Sequence, residues 1–100
     1  MADVTKVVLK QNNEVIKEYE FSVFELIDDD LIVHLKEPKI YDKPKKEFYK
    51  IELWKNDQIE LEKNCIFRQY QVLMDNGVYQ GQEESELKYI QNFLKFEILD

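Results

Sequence analysis

Apolar and polar residues alternate along the first part of the chain, as they do in β-strands. Residues 4–10 (VTKVVLK) and 14–21 (EVIKEYEF) are rich in β-branched and aromatic side chains, which favour strands. Asn12 and Asn13 lie between these runs, and asparagine tolerates the positive φ angles of a two-residue turn. The pattern therefore predicts an N-terminal β-hairpin.

The alternation changes phase near the end of the second run. Tyr19, Phe21 and Val23 occupy one set of alternate positions. Phe24 and Leu26 then take the apolar positions. Because a shift of one residue turns every following side chain to the other face of a strand, this change predicts a bulge or a corner.

The middle of the chain carries further strand patterns. Residues 31–36 and 49–54 alternate with a period of two, as do residues 59–62. Residues 65–74 (CIFRQYQVLM) have the composition of a central strand.

Residues 37–48 (EPKIYDKPKKEF) contain both prolines and predict a loop, which is the best candidate for a mobile segment. The Asn-Asp pair at 56–57 predicts a turn. Asn76-Gly77 is the strongest hairpin signal in the chain and predicts that residues 65–75 pair with residues 78–81.

The period changes after residue 82. Leu87, Ile90 and Leu94 recur at helical spacing, which predicts a helix over about 83–95. Three glutamates fall in its first turn: Glu83, Glu84 and Glu86. The helix dipole favours anions at that end.

This order of elements predicts an α+β fold. We expect one domain over residues 1–100, with an antiparallel β-sheet or a small, partly open barrel of six to seven strands over 3–82 and one C-terminal α-helix over 83–95. No internal repeat is evident in the sequence. Aromatic residues make up 13% of the chain, so one core forms without a metal, a disulfide or another cofactor.

Charge is distributed unevenly along the chain. The formal net charge is −7, but residues 38–55 are basic, whereas residues 1–37 and 56–100 are acidic. A protein of net negative charge repels nucleic acid, so we do not expect direct nucleic-acid binding. We expect instead a partner protein with a basic surface.

The lone cysteine, Cys65, favours a reducing compartment. With no apolar run long enough for a signal peptide or a membrane span, we expect a cytoplasmic protein, in the cytosol of a bacterium or of a phage-infected host cell.

The stretch LIDDDLIVHLK, which holds Asp28, Asp29, Asp30 and the only histidine, His34, raises the question of a metal site. Adjacent residues in a strand point to opposite faces, and Asp30 and His34 would lie about 13 Å apart along a strand. The three aspartates are therefore interpreted as a solvated turn at a strand end.

Residues suited to catalysis are sparse. Neither serine lies in a GxSxG context, two glycines cannot build a phosphate loop, and Cys65 opens an apolar run, where a thiol behaves as a small hydrophobe. We expect no enzymatic activity.

Three groups of residues could bind a partner. The first is acidic and comprises Glu25, Asp28, Asp29 and Asp30, together with Glu83, Glu84 and Glu86 at the predicted helix start. The second is Trp54, which falls on the polar face of its strand and is either an exposed binding residue or a cover for the second face of the sheet. The third is the basic loop with Tyr41, Lys43, Lys45 and Lys46, whose lysines could grip phosphates or could keep a sheet edge from aggregating.

These features favour a small acidic binding protein. The composition is rich in Lys, Glu, Ile and Asn, which suits an AT-rich genome. We expect an inhibitor or accessory protein of a phage or mobile element that docks an acidic face on a basic protein, such as one that binds nucleic acid. The alternatives are a structural or assembly subunit of a phage particle or homo-oligomer, and a small-ligand-binding β-barrel.

Overall fold

Six β-strands make up the part of the chain that a computed structural model describes, which is residues 3–37, 40–74 and 90–99. The strands are β1 (Thr5–Gln11), β2 (Glu14–Ile27), β3 (Asp30–Leu35), β4 (Phe48–Lys55), β5 (Gln58–Met74) and β6 (Ile90–Ile98). They form a closed barrel in the order β1-β2-β3-β6-β5-β4, and every neighbouring pair is antiparallel. The barrel is thus fully closed rather than partly open.

The barrel has two layers, which are joined by the two long strands β2 and β5. One layer contains β1, β4 and the first halves of β2 and β5, and the other contains β3, β6 and their second halves. The first half of β2 pairs with β1 and its second half with β3; in the same way, β5 pairs first with β4 and then with β6. The register shifts where each strand changes partner, so that Ser22 is the extra residue in β2 and Arg68 the extra residue in β5. Bulges bend a strand, and we call these positions the first corner (Ser22) and the second corner (Arg68). The phase change in the sequence predicted the first of them.

The predicted turns at Asn12-Asn13 and at 56–57 are confirmed. Asn12 and Asn13 have φ angles of 53° and 66°, and Asn56 has a φ of 56°. Asparagine adopts this left-handed region more readily than most residues, so each hairpin turn is placed by its local sequence. The Asn76-Gly77 hairpin and its strand 78–81 lie outside the described residues. Residues 65–74 of β5 pair with β6, and Cys65 and Ile66 also pair with β4.

The barrel interior is one hydrophobic core. Its buried members are Val7, Leu9, Phe21, Leu31, Val33, Leu35, Ile40, Tyr49, Ile51, Leu53, Cys65, Phe67, Leu94 and Phe96. Cys65 is thus a core residue, as its position in an apolar run indicated. Asn92 is also buried, and its side-chain nitrogen and oxygen have no hydrogen-bond partner among the described residues.

The predicted C-terminal helix, and with it the α+β class, is wrong. Residues 90–98 form β6, which lies between β3 and β5, and the described ranges contain β-strands and no helix. The strand phase is hidden in the sequence because polar Asn92 points inward and apolar Phe93 points outward. That exchange makes a two-residue period look helical. The remainder of the predicted helix, 83–89, lies outside the described residues.

The two halves of the barrel are related by an approximate two-fold axis. In the β1–β4 ladder, Val7 pairs with Leu53 and Leu9 with Ile51, on either side of the Val8–Glu52 pair. The segments 6–15 (KVVLKQNNEV) and 50–59 (KIELWKNDQI) match in this arrangement. The same ion pair recurs in both halves, from Lys6 to Glu18 and from Lys50 to Glu62, at 3.5 Å each. The structure therefore contains a repeat that the sequence alone did not make evident.

Candidate functional site

The aspartate triplet lies where β2 turns into β3. Asp28 and Asp29 form the turn, and Asp28 has a φ of 55°. Asp30 begins β3 and forms an ion pair with Lys95 of β6 at 3.5 Å. The carbonyl oxygen of Asp29 accepts a hydrogen bond from the Ile98 amide at 2.6 Å, which fixes the turn to β6. The turn interpretation is correct for Asp28 and Asp29, whereas Asp30 belongs to a strand.

Glu25 and His34 are diagonal neighbours across the β2–β3 ladder, on the outside of the barrel. His34 Nε2 lies 2.7 Å from a Glu25 carboxylate oxygen, and the His34 ring is tilted against Phe93 at 5.7 Å between ring centres. His34 therefore contacts Glu25 rather than the triplet. Within the described ranges, no group of three or more His, Cys, Asp or Glu side chains is arranged to hold a metal ion.

Apolar side chains are exposed beside these carboxylates. Val23 is 58% exposed, Ile27 50% and Leu26 49%. We call residues 23–29, which hold these three side chains together with Glu25, Asp28 and Asp29, the hairpin tip. Val23, Glu25 and Ile27 lie on the outer face of β2, and Leu26 lies on the other face near the end of the barrel. Exposed apolar side chains beside charged ones are typical of protein-binding surfaces.

Trp54 lies on the other layer of the barrel, so the fold does not bring it to the hairpin tip. Its indole Nε1 donates a hydrogen bond to Glu52 at 3.1 Å, and the Lys6 ammonium lies 5.6 Å from the centre of its ring. Trp54 is partly buried. It covers polar groups on the outer face of β4 and is not a fully exposed binding residue.

Glu52 is the buried carboxylate beneath Trp54. It is 4% exposed, and Lys10 Nζ lies 3.1 Å from its second oxygen. Burial by itself raises the pKa of this carboxyl, but the hydrogen bonds from Lys10 and Trp54 and the charges of Lys10 and Lys50 outweigh burial and hold the pKa below its usual value. Sequence reasoning did not single out Glu52, because its position in an alternating strand predicts exposure.

The basic loop is attached to the barrel by tyrosine hydroxyl groups. The Tyr19 hydroxyl donates a hydrogen bond to the Asp42 carbonyl at 2.6 Å, and the Tyr49 hydroxyl donates one to the Lys45 carbonyl at 3.1 Å. The Tyr70 hydroxyl accepts a hydrogen bond from the Ile40 amide at 3.2 Å. Pro44 is buried, whereas the predicted site residues Tyr41, Lys43, Lys45 and Lys46 are exposed. These three hydrogen bonds tie residues 40, 42 and 45 to the barrel and leave Lys43, Lys45 and Lys46 in solvent.

The lysines of this loop meet Arg68 at the second corner. A cleft of about 250 Å³ is lined there by Lys43, Pro44, Lys46, Phe67, Arg68, Gln69 and Tyr70. We call this the second corner cleft. Sequence reasoning missed Arg68, although Phe67 and Tyr70 show the same phase change as Phe21 and Phe24.

Glu83, Glu84 and Glu86 lie outside the described residues. Over the part of the chain that is described, no helix is long and apolar enough to cross a membrane. No family model matches the chain, and neither a curated protein nor a solved structure matches it.

Proposed function

We propose that the protein is a non-enzymatic binding protein that docks its hairpin tip on a basic surface of another protein. The observation that carries this proposal is the tip itself, where Val23, Leu26 and Ile27 are about half exposed among the carboxylates of Glu25, Asp28 and Asp29. No lysine or arginine occurs in residues 18–35. The role that suits this chemistry is that of an inhibitor or accessory protein of a phage or mobile element.

The two kinds of side chain have different roles in such a contact. Burying the apolar side chains supplies affinity, at about 25 cal/mol per Å² of apolar surface removed from water. The carboxylates speed association with a basic partner and disfavour acidic ones. The complementary surface is therefore an apolar depression with lysine or arginine residues at its rim.

The two alternative functions have less support. Assembly through Trp54 requires an open aromatic face, whereas its indole nitrogen is bonded to Glu52 and Lys6 lies over its ring. Binding of a small ligand inside the barrel requires an interior cavity, whereas the inward side chains of all six strands pack together as one core.

Charge removal at the hairpin tip tests the proposal. The test variant combines Glu25→Gln, Asp28→Asn and Asp29→Asn, which keep side-chain shape, and asparagine preserves the positive φ at Asp28. A partner is first captured from a host lysate, and its association rate and Kd are then measured at low and high salt. We expect association with the variant to be slower by about tenfold at low salt, and less slowed at high salt.

A matched control removes the same number of exposed carboxylates elsewhere. Glu14→Gln, Asp57→Asn and Glu60→Gln serve this purpose, because these side chains are exposed and form no ion pair within the described residues. We expect less than about a threefold change in the association rate for this control. Equal slowing by both triple variants would mean that only net charge matters, and no slowing by the tip variant would exclude the tip as the docking surface.

A further inference from the structure

The two corners of the barrel have the same backbone arrangement but different side chains. At the first corner, the bulge carries Phe21-Ser22-Val23-Phe24, and at the second it carries Phe67-Arg68-Gln69-Tyr70. Phe21 and Phe67 are both buried in the core. Since the first corner folds with serine, valine and phenylalanine, the fold does not require arginine, glutamine and tyrosine at the second corner.

The second corner cleft is strongly cationic in a protein of net charge −7. Among the described residues, its lining includes Lys43, Lys46 and Arg68 and no carboxylate. Glu97 Oε1 accepts hydrogen bonds from Arg68 Nε at 3.0 Å and Nη2 at 2.7 Å. Asp42 and Glu47 flank the lysines in sequence, but their carboxylates contact Lys17 and Gln11 instead. If the charge of Glu97 offsets that of Arg68, the ammonium groups of Lys43 and Lys46 leave the described lining with about two positive charges.

The cations of the cleft are held in place by their surroundings. The Lys43 ammonium lies 5.6 Å from the centre of the Tyr70 ring, and the Tyr70 hydroxyl in turn accepts the amide of Ile40 at the start of the described loop. Buried Pro44 fixes the backbone between Lys43 and Lys46. Arg68 is directed by its bulge and by Glu97, and bulges commonly re-aim side chains near functional sites.

We infer that the second corner cleft binds a phosphate group. A phosphate monoester carries about −1.5 to −2 charges near neutral pH, which matches the surplus charge of the cleft, whereas a carboxylate would neutralise only half of it. The guanidinium of Arg68 offers further N–H donors beside those taken by Glu97, and two ammonium groups complete the set. This site is distinct from the hairpin tip, and it does not depend on the function proposed for the tip.

Titration of the intact protein with inorganic phosphate at constant ionic strength tests the inference. A second titration with O-phosphoserine separates free phosphate from a phosphate monoester, and a titration with sodium chloride is the control for non-specific anion binding. The readout is the backbone amide spectrum by heteronuclear NMR. We expect saturable shifts at the amides of residues 43, 45, 46 and 67–70 with at least one of the phosphate ligands, and no saturable shifts with chloride.

Variants then assign the binding to named side chains. Arg68→Gln and the double variant Lys43→Gln/Lys46→Gln should each weaken phosphate binding by about tenfold. Arg68→Lys, which keeps the charge but loses the planar donor group, should weaken it less. The matched control is Lys36→Gln, because Lys36 is an exposed lysine lining the groove at the first corner.

Three results would overturn the inference. The first is phosphate shifts that do not saturate or that chloride reproduces. The second is an equal loss of affinity with Lys36→Gln. The third is full phosphate affinity in the folded double lysine variant, which remains decisive even if Arg68→Gln does not fold.

Discussion

The buried ion pair between Lys10 and Glu52 gives the sharpest test of the structural reasoning. Replacing Lys10 by methionine keeps an unbranched chain over the barrel but leaves Glu52, which is 4% exposed, without its cation. Removing one partner of a buried pair costs about 3–5 kcal/mol. The Lys10 side chain is 28% exposed and Trp54 still donates to Glu52, so we expect a loss of about 2–3 kcal/mol in the free energy of unfolding.

The approximate two-fold axis suggests a variant that rescues this loss. Val8 occupies the position related to Glu52 by the approximate two-fold axis, and it is also buried. The outer face of the barrel therefore accommodates a valine at the equivalent position. Adding Glu52→Val to Lys10→Met removes the uncompensated charge, and replacement of a whole buried pair by apolar residues is often neutral or stabilising. The double variant should therefore be more stable than Lys10→Met alone.

Equilibrium unfolding in urea, followed by circular dichroism, measures these differences. The matched control is Lys95→Met, which breaks the more exposed ion pair with Asp30 and should cost less than about 1 kcal/mol. The reasoning fails if Lys10→Met loses no more than Lys95→Met does. It also fails if the double variant is no more stable than the single one.

The lowered pKa of Glu52 adds a pH dependence with a definite sign. The unfolded carboxyl titrates near about 4.3, and the folded one titrates lower. The stabilisation is therefore present above about pH 4.3 and is lost as pH falls through the folded-state pKa. The parent should lose stability more steeply below about pH 4 than Glu52→Gln does, as measured by urea unfolding across that range. Parallel curves would contradict the lowered pKa.

Substitutions at three further positions test other parts of the barrel. Asn92→Leu should raise the free energy of unfolding by about 1–3 kcal/mol, because it removes a buried amide that has no hydrogen-bond partner within the described ranges; an unchanged urea midpoint would mean that the amide is hydrogen-bonded in solution. Asn13→Val should cost about 1–2 kcal/mol and Asn13→Gly almost nothing, because φ is 66° there; equal melting temperatures for the two would contradict the turn. Burial and the charge of Asp42 raise the pKa of Tyr19 above its usual 10, so stability should fall as pH rises past about 10. Tyr19→Phe should show a smaller fall between about pH 9 and pH 11, by thermal unfolding; an identical fall would exclude this tyrosine.

Much of the local structure could be predicted from short stretches of sequence. The turns at Asn12-Asn13 and 56–57 follow from the tolerance of asparagine for positive φ, and the first corner follows from the phase change between Phe21 and Phe24. The same kind of phase change between Phe67 and Tyr70 marks the second corner, but the arginine in it was not recognised as part of a site. For the candidate site, the sequence identified the acidic residues at the tip and the lysines of the loop. It did not show which apolar side chains are exposed beside the acids.

The sequence by itself determined the strand pattern of residues 4–74 and the turns within it, because alternation and turn chemistry act between near neighbours. The tertiary structure decided the rest. It made residues 90–98 a strand, since β3 and β5 offer backbone hydrogen bonds on both sides, and this outweighed a helical pattern of three apolar residues. It buried Glu52 against Lys10 and brought Lys43 and Lys46 to Arg68. These contacts join residues far apart in the chain, and no local pattern encodes which distant side chains a closed barrel brings together.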